Sequence, residues 1–451
     1  MKKLMPVISL LLVAAFVLSA CAQATTPAPT MAPQPTTAAP AVTDTAVPTT
    51  APNMPTDTPA PTATPVATPA PVTITIWHQW DGTYLDAITA VFKDYMTQHP
   101  NVTITLSKPS DVTSALKVAI PAGQGPDIIG WTNDQIGTNA LNGNIINLAN
   151  LGVTDSWLKQ TYEPAAVAGV EWNNEIWALP ESQEGIALIY NKAVLADNSP
   201  YMPKGGLDFA DLLAKAKAYA TDNKGKYLFC NQAFGSPADP YHAAPIYFGF
   251  GLPAYVDEKG TDYVNSAPAV QASQWILDIE PYLAKDQSAN KCLADFESGN
   301  AAMMWTGPWN LAEFDKQKIN YGFVSMGKPF VGIKTLMITK NAVDRGTAAL
   351  ALDIITFYTN SDNQTKESLA NKTIPANTIA LKSAGVQALA SIAGFGNALN
   401  VGIPMGNSPF AGAQWQPMTD AIGALWSGKQ KPADAMAAAA TAIDKAVAGM
   451  K

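Results

Sequence analysis

Gly125-Pro126-Asp127-Ile128-Ile129-Gly130-Trp131-Thr132-Asn133-Asp134 is the stretch on which the reading of this chain turns. Ile128 and Ile129 form the apolar centre of a buried strand, and Trp131 and Asp134 fall where that strand should run out into a loop. In an open α/β sheet ligands lie beyond the carboxyl ends of the strands, so an indole and a carboxylate here are candidate binding groups. A flat ring covers the apolar face of a pyranose, and an ionised carboxylate accepts from two hydroxyls. The competing reading is a rim Trp packed on its own loop, with Asp134 capping a turn.

Upstream, Val72, Ile74 and Ile76 alternate with Thr73 and Thr75, a half-buried strand by period. Leu85, Ile88, Val91, Phe92 and Tyr95 then recur at helical spacing until His99-Pro100 stops them, and Val102, Ile104 and Leu106 alternate again. A second helix starts at Ser110 or Asp111 and ends before Pro121. This βαβαβ order predicts a doubly wound parallel sheet, its crevice near residues 77–81 and 131–134. Downstream the pattern repeats. Residues 186–192 form another apolar strand, with Glu181 and Glu184 before it, and residues 209–220 a helix capped by Asp208. Residues 226–230 form a strand, and residues 301–305 lead to the turn Gly307-Pro308-Trp309-Asn310.

Residues 1–72 set the address of the chain. Lys2 and Lys3 precede an apolar run over residues 4–17, short for a membrane span and right for a signal-peptide core. It ends Leu18-Ser19-Ala20-Cys21, which resembles the lipobox of bacterial lipoproteins, so residues 1–21 are read as a leader with Cys21 lipidated. Residues 22–72 are almost entirely Pro, Thr and Ala, with only Asp44 and Asp57 charged. Such a stretch cannot offset its ordering entropy and reads as a disordered tether of roughly 150 Å at full extension. Net charge is −8, hydrophobic residues make up 47% and charged residues 14%. With no basic run, nucleic acid is excluded as a partner, and the membrane is reached through the lipid alone. The rest of the chain, too long for one ordinary core, predicts two packed lobes.

At this point the chain resembles extracytoplasmic solute-binding proteins of sugar ABC importers, specifically the maltose and maltodextrin-binding family. The resemblance rests on residues 125–134, Leu188-Ile189-Tyr190-Asn191-Lys192, residues 296–309, Lys328-Pro329-Phe330-Val331-Gly332 and the final Ala-rich helix. It implies an α/β fold of two lobes, each a mostly parallel sheet flanked by helices. The first lobe would span residues 73–181 and 331–376, the second 182–330 and 377–451. Crossings at 181–184, 328–332 and 374–376 would form a hinge, with the ligand cleft between the lobes. Carried over residue by residue, it implies sugar contacts from Asp81, Trp131, Asp134, Glu184, Asp239, Tyr241, Trp309 and Trp415. Two positions depart from the pattern: Gly82 stands where it has Lys, and Gln135 where it has Arg. Trp80 adds a further ring, with Trp77 packed into the sheet.

The resemblance implies a lipid-anchored, monomeric binding protein at the cell surface or in the periplasm, capturing a maltose or maltodextrin-like oligosaccharide for a permease. A glycosidase using Glu184 and Asp239 as acid and nucleophile is the alternative from another class; a different sugar or polyol on the same fold is the third reading. His78, His99 and His242 lack metal-ligand spacing, and neither a phosphate loop nor a Gly-x-Ser-x-Gly elbow occurs, so no cofactor or metal is expected. Cys230 and Cys292 are an even pair in an exported chain. They are candidates for a disulfide, which requires their Cα atoms to lie within about 7 Å.

Overall fold

The computed structural model describes residues 70–110 and 112–450; the leader with Cys21, nearly all of the tether and Asp111 lie outside the described residues. Val72–His78 (β1), Val102–Ser107 (β2) and Ile128–Thr132 (β3) form where apolar alternation or an apolar pair marks them. β1 pairs in parallel with β2 and with β3, the doubly wound start that a βαβαβ run dictates. The helix Gly82–Gln98 buries Tyr84, Ile88, Val91, Phe92 and Tyr95, one stripe of a 3.6-residue period. The helix Val112–Ala119 follows β2.

A hairpin of Glu171–Trp172 (β4) and Glu175–Ile176 (β5) precedes Leu179–Glu184 (β6) and Ala187–Asn191 (β7). The later strands are Tyr227–Cys230 (β8), Ala301–Thr306 (β9), Tyr321–Val324 (β10), Phe330–Ile338 (β11), Ile374–Pro375 (β12) and Ile403–Pro404 (β13). The first sheet runs β12-β6-β11-β3-β1-β2, with β13 on β11; the second runs β10-β7-β9-β8. Each is mixed: β11 is antiparallel to β3 and β6, and β7 is antiparallel to β9 and β10. β6 and β7 are separated by two residues, Gly185 and Ile186, yet lie in different sheets, so the chain passes from one lobe to the other there.

Each sheet is closed by its own core. In β7, Leu188 and Tyr190 pack into one cluster while Ala187 and Ile189 pack into another, which is why the strand is continuously apolar instead of alternating with polar residues. Cys230 at the end of β8 and Cys292 in the helix Ala289–Ser298 are joined by a disulfide, with Cα atoms 5.3 Å apart. The first lobe has an ionic post built on the buried Asp127. Asp127 accepts at Oδ1 from Arg345 Nη2 (2.8 Å) and Thr347 Oγ1 (2.6 Å), and at Oδ2 from the Thr75 backbone N–H (2.9 Å). This ties β1 and the start of β3 to the segment after β11. No helix among the described residues is long and apolar enough to cross a membrane.

Candidate functional site

Between the sheets lies a cleft of about 760 Å³, lined from one side by Asp81, Tyr84, Thr132, Asp134, Glu184 and Lys334 and from the other by Gln232, Asp239, Tyr241, Trp309 and Trp415. Local sequence explains the placement of its rings. The turn Pro308–Asn310 presents Trp309, and at Gly307 a Cβ would come within 2.1 Å of the Trp309 ring, so only glycine lets the indole fold back over its own turn. Tyr241 sits in the first turn of the helix Pro240–Gly249 and stacks on Phe330 with centroids 5.9 Å apart. Trp415 opens the helix Trp415–Trp426, and its Nε1 donates to Asp134 Oδ2 at 2.9 Å, joining the two walls.

The carboxylates are held in three different ways. Asp239 caps its helix, accepting from the backbone N–H groups of Tyr241 (2.9 Å) and His242 (3.4 Å) at Oδ1. Its Oδ2 meets Gln232 Nε2 (2.7 Å) and His242 Nδ1 (2.8 Å). Burial pushes this carboxyl up, but His242 and the hydrogen bonds outweigh burial and hold it below the usual carboxylate range. Asp134, 4% exposed, accepts from Thr132 Oγ1 (2.5 Å), Gln135 Nε2 (2.8 Å) and Trp415. Burial raises its pKa against those bonds. Gln135 thus donates to this carboxylate without adding a charge beside it.

Glu184 belongs to a third arrangement. Its Oε1 accepts from Tyr84 OH (3.1 Å), which also lies 3.2 Å from Glu181 Oε1, and its Oε2 lies 3.5 Å from Lys334 Nζ. Lys334 sits 5.6 Å from the Tyr84 ring centroid. The register of β11 against β6 shifts at Lys334/Thr335, an irregularity of the kind that re-aims a side chain. Behind them, Glu367 accepts from Asn371 Nδ2 and Thr373 Oγ1, each at 2.9 Å. Burial first, and then neighbouring carboxylates, push Glu181 up to about 8 and Glu367 up to about 7, against the pull of Lys334.

Seven of the nine residues expected to touch ligand line this cleft as outright wall groups: Asp81, Asp134, Glu184, Asp239, Tyr241, Trp309 and Trp415. The other two are placed differently. Trp131 is not among the lining residues; Thr132 takes that place, because successive residues of a strand face opposite sides, and Trp131 packs on the first core. Trp80 borders the cleft but is only 2% exposed, stacked 5.0 Å from His78 and tilted against Phe92 at 6.2 Å. It lies over β3, where a Cβ on Gly130 would meet its ring at 2.9 Å, so it is a floor support and offers no open face for stacking. His78 is buried with it. Sequence reading missed Tyr84, Lys334 and Lys108, the last paired with Asp81. A lone lysine inside the apolar strand β11 was the available signal for Lys334.

The profile of bacterial extracellular solute-binding proteins matches residues 90–394. The chain belongs to that family. Among curated relatives of this solute-binding protein, the maltotriose-binding protein of Pyrococcus abyssi is 28% identical over 362 residues, 77% of this chain and 76% of the relative. The galactooligosaccharide-binding protein of Bacillus subtilis is 25% identical, covering 72% and 78%. A maltooligosaccharide ABC transporter solute-binding lipoprotein of Streptococcus pneumoniae is 25% identical, covering 54% and 57%. Of solved structures, the maltose/maltodextrin-binding domain from Bdellovibrio bacteriovorus bound to maltotriose superposes with a TM-score of 0.74 at 20% identity, over 84% of this chain and 100% of that one. The shared fold is two-lobed and α/β.

Proposed function

We propose that this protein captures an oligosaccharide, maltose or maltodextrin-like, between its lobes, and delivers it to the permease of an ABC importer while tethered through lipid on Cys21. The observation that carries the reading is the composition of the cleft: three rings from the second wall, Tyr241, Trp309 and Trp415, face Asp134 and Glu184 from the first. Rings cover the apolar faces of sugar rings and carboxylates accept from hydroxyls. A ligand touching both walls favours the state in which they are close, and hinge closure around a ligand is the known behaviour of periplasmic binding proteins as a class. Binding proteins with importers are what the streptococcal relative's name describes, and its lipoprotein character supports the Cys21 anchor.

A hydrolase needs a free nucleophile and a free acid. Asp239 commits its two oxygens to four donors and Glu184 to Tyr84, Ser182 and Lys334, which supports binding without turnover. Isothermal titration of the full chain with maltotriose, maltotetraose and galactotriose tests the reading, with reducing-sugar assays run alongside. Saturable binding of at least one sugar, with no release of reducing ends, is expected. Silence to all three, or hydrolysis, overturns the proposal.

A further inference from the structure

Five carboxylates face the cleft, Asp81, Asp134, Glu184, Asp239 and Glu313, against one ammonium, Lys334. Three of the five have a lysine partner of their own, and Asp239 is bonded by a histidine. Asp81 has Lys108, Glu184 has Lys334, Asp239 has His242, and Glu313 has Lys316 at 3.2 Å. Asp134 differs. Its donors, Thr132, Gln135 and Trp415, are all neutral, so its charge is hydrogen-bonded without being cancelled.

The opposite charge is scarce. The chain has one arginine, Arg345, and it is bound to Asp127, so no guanidinium is left to grip a ligand carboxylate or phosphate with two parallel bonds. Lys334, with a side chain 11% exposed, is already shared with Glu184. The second wall carries three rings, Tyr241, Trp309 and Trp415, whose faces attract cations.

We propose that the cleft sorts oligosaccharides by charge: it accepts neutral ones, binds more tightly those carrying an ammonium that can approach Asp134, and rejects those carrying a carboxylate or phosphate. This rests on the oligosaccharide reading above. It narrows the cargo class by a property that ring count and linkage do not determine. Unlike charges a few ångströms apart in a partly desolvated cleft attract strongly, and salt screens them.

Three open-chain probes separate charge from shape: maltotriitol, 1-amino-1-deoxymaltotriitol and maltotrionate, which share two glucose rings and differ at the terminal carbon. In calorimetry on the full chain at neutral pH and low salt, the amine is expected to bind tightest and the acid weakest. Their Kd values should differ about tenfold or more, and the gap should shrink at about 1 M salt. Asp134→Asn should narrow the amine-to-acid ratio, which a general loss of affinity would leave unchanged. Equal affinity for the three probes, or tighter binding of the acid, overturns the charge inference and leaves the oligosaccharide reading standing. Silence to the series and to maltotriose, maltotetraose and galactotriose overturns both.

Discussion

Trp309 and Trp131 show how one residue type takes two roles in one fold. Trp309 lines the cleft beside Tyr241 and packs against the cores of both lobes, whereas Trp131 sits on the strand face turned to the first core. Trp309→Ala should weaken sugar binding by ~1–3 kcal/mol, the loss expected of a buried ring against an apolar sugar face. Trp131→Ala should instead lower the melting temperature and leave Kd within about twofold, because it removes core packing alone. Titration calorimetry and thermal melts on the same two variants separate these outcomes. The carboxylates were legible as residue types, since Asp134 and Asp239 stand beside turn and cap positions. Which way each indole points was not, because that depends on a neighbour such as Trp80 lying across β3 at Gly130.

At the scale of elements, β3 carries both the start of the Asp127 post and the end of the cleft wall. Asp127 gathers Arg345, Thr347 and the Thr75 N–H around one side chain that is almost fully buried. Removing the carboxylate leaves the Thr75 N–H and the Thr347 hydroxyl without their acceptor while Arg345 is partly exposed to water, so Asp127→Ala should cost about 1–3 kcal/mol in urea unfolding. Arg345→Lys keeps the charge and loses the planar fork, and should recover only part of the stability. A destabilisation under about 1 kcal/mol for Asp127→Ala would mean that the post is not structural. Strands β1, β2 and β3 and the helix Gly82–Gln98 could be read from periodicity, since each is defined by its own spacing. The placement of β11 between β3 and β6 could not be read, because its partners lie more than 140 residues upstream and no local pattern encodes them.

At the scale of the whole molecule, five elements of the first lobe meet behind its wall of the cleft. Glu181 and Glu184 come from β6, Lys334 from β11, Tyr84 from the helix Gly82–Gln98, Tyr358 from the helix Ala348–Tyr358 and Glu367 from the helix Ser361–Asn371. Burial favours the neutral form of Glu181, raising its pKa from an ordinary 4.5 to about 8. A carboxyl raised in the fold adds stability below its unfolded pKa, and that stability is lost as pH climbs through the folded value. Melting temperature should therefore fall between about pH 5 and pH 9, and Glu181→Gln, permanently neutral, should flatten that fall. Parallel pH profiles for wild type and Glu181→Gln would sink this account of the cluster.

Taken alone, the sequence determined the family, the first βαβαβ unit and most of the residue types that a sugar cleft requires, and the reading of a leader and a tether rests on it entirely. Each of these is written in contiguous residues, where hydrophobic period, turn chemistry and composition act over a few positions. Only the tertiary structure decided that Trp80 and Trp131 serve the core, that Cys230 meets Cys292, and that Tyr84 joins Glu184 across 100 residues. It also decided that Asp134 is left with neutral donors only. Burial and charge pairing are properties of neighbours in space, and this chain brings those neighbours together by crossing repeatedly between two lobes.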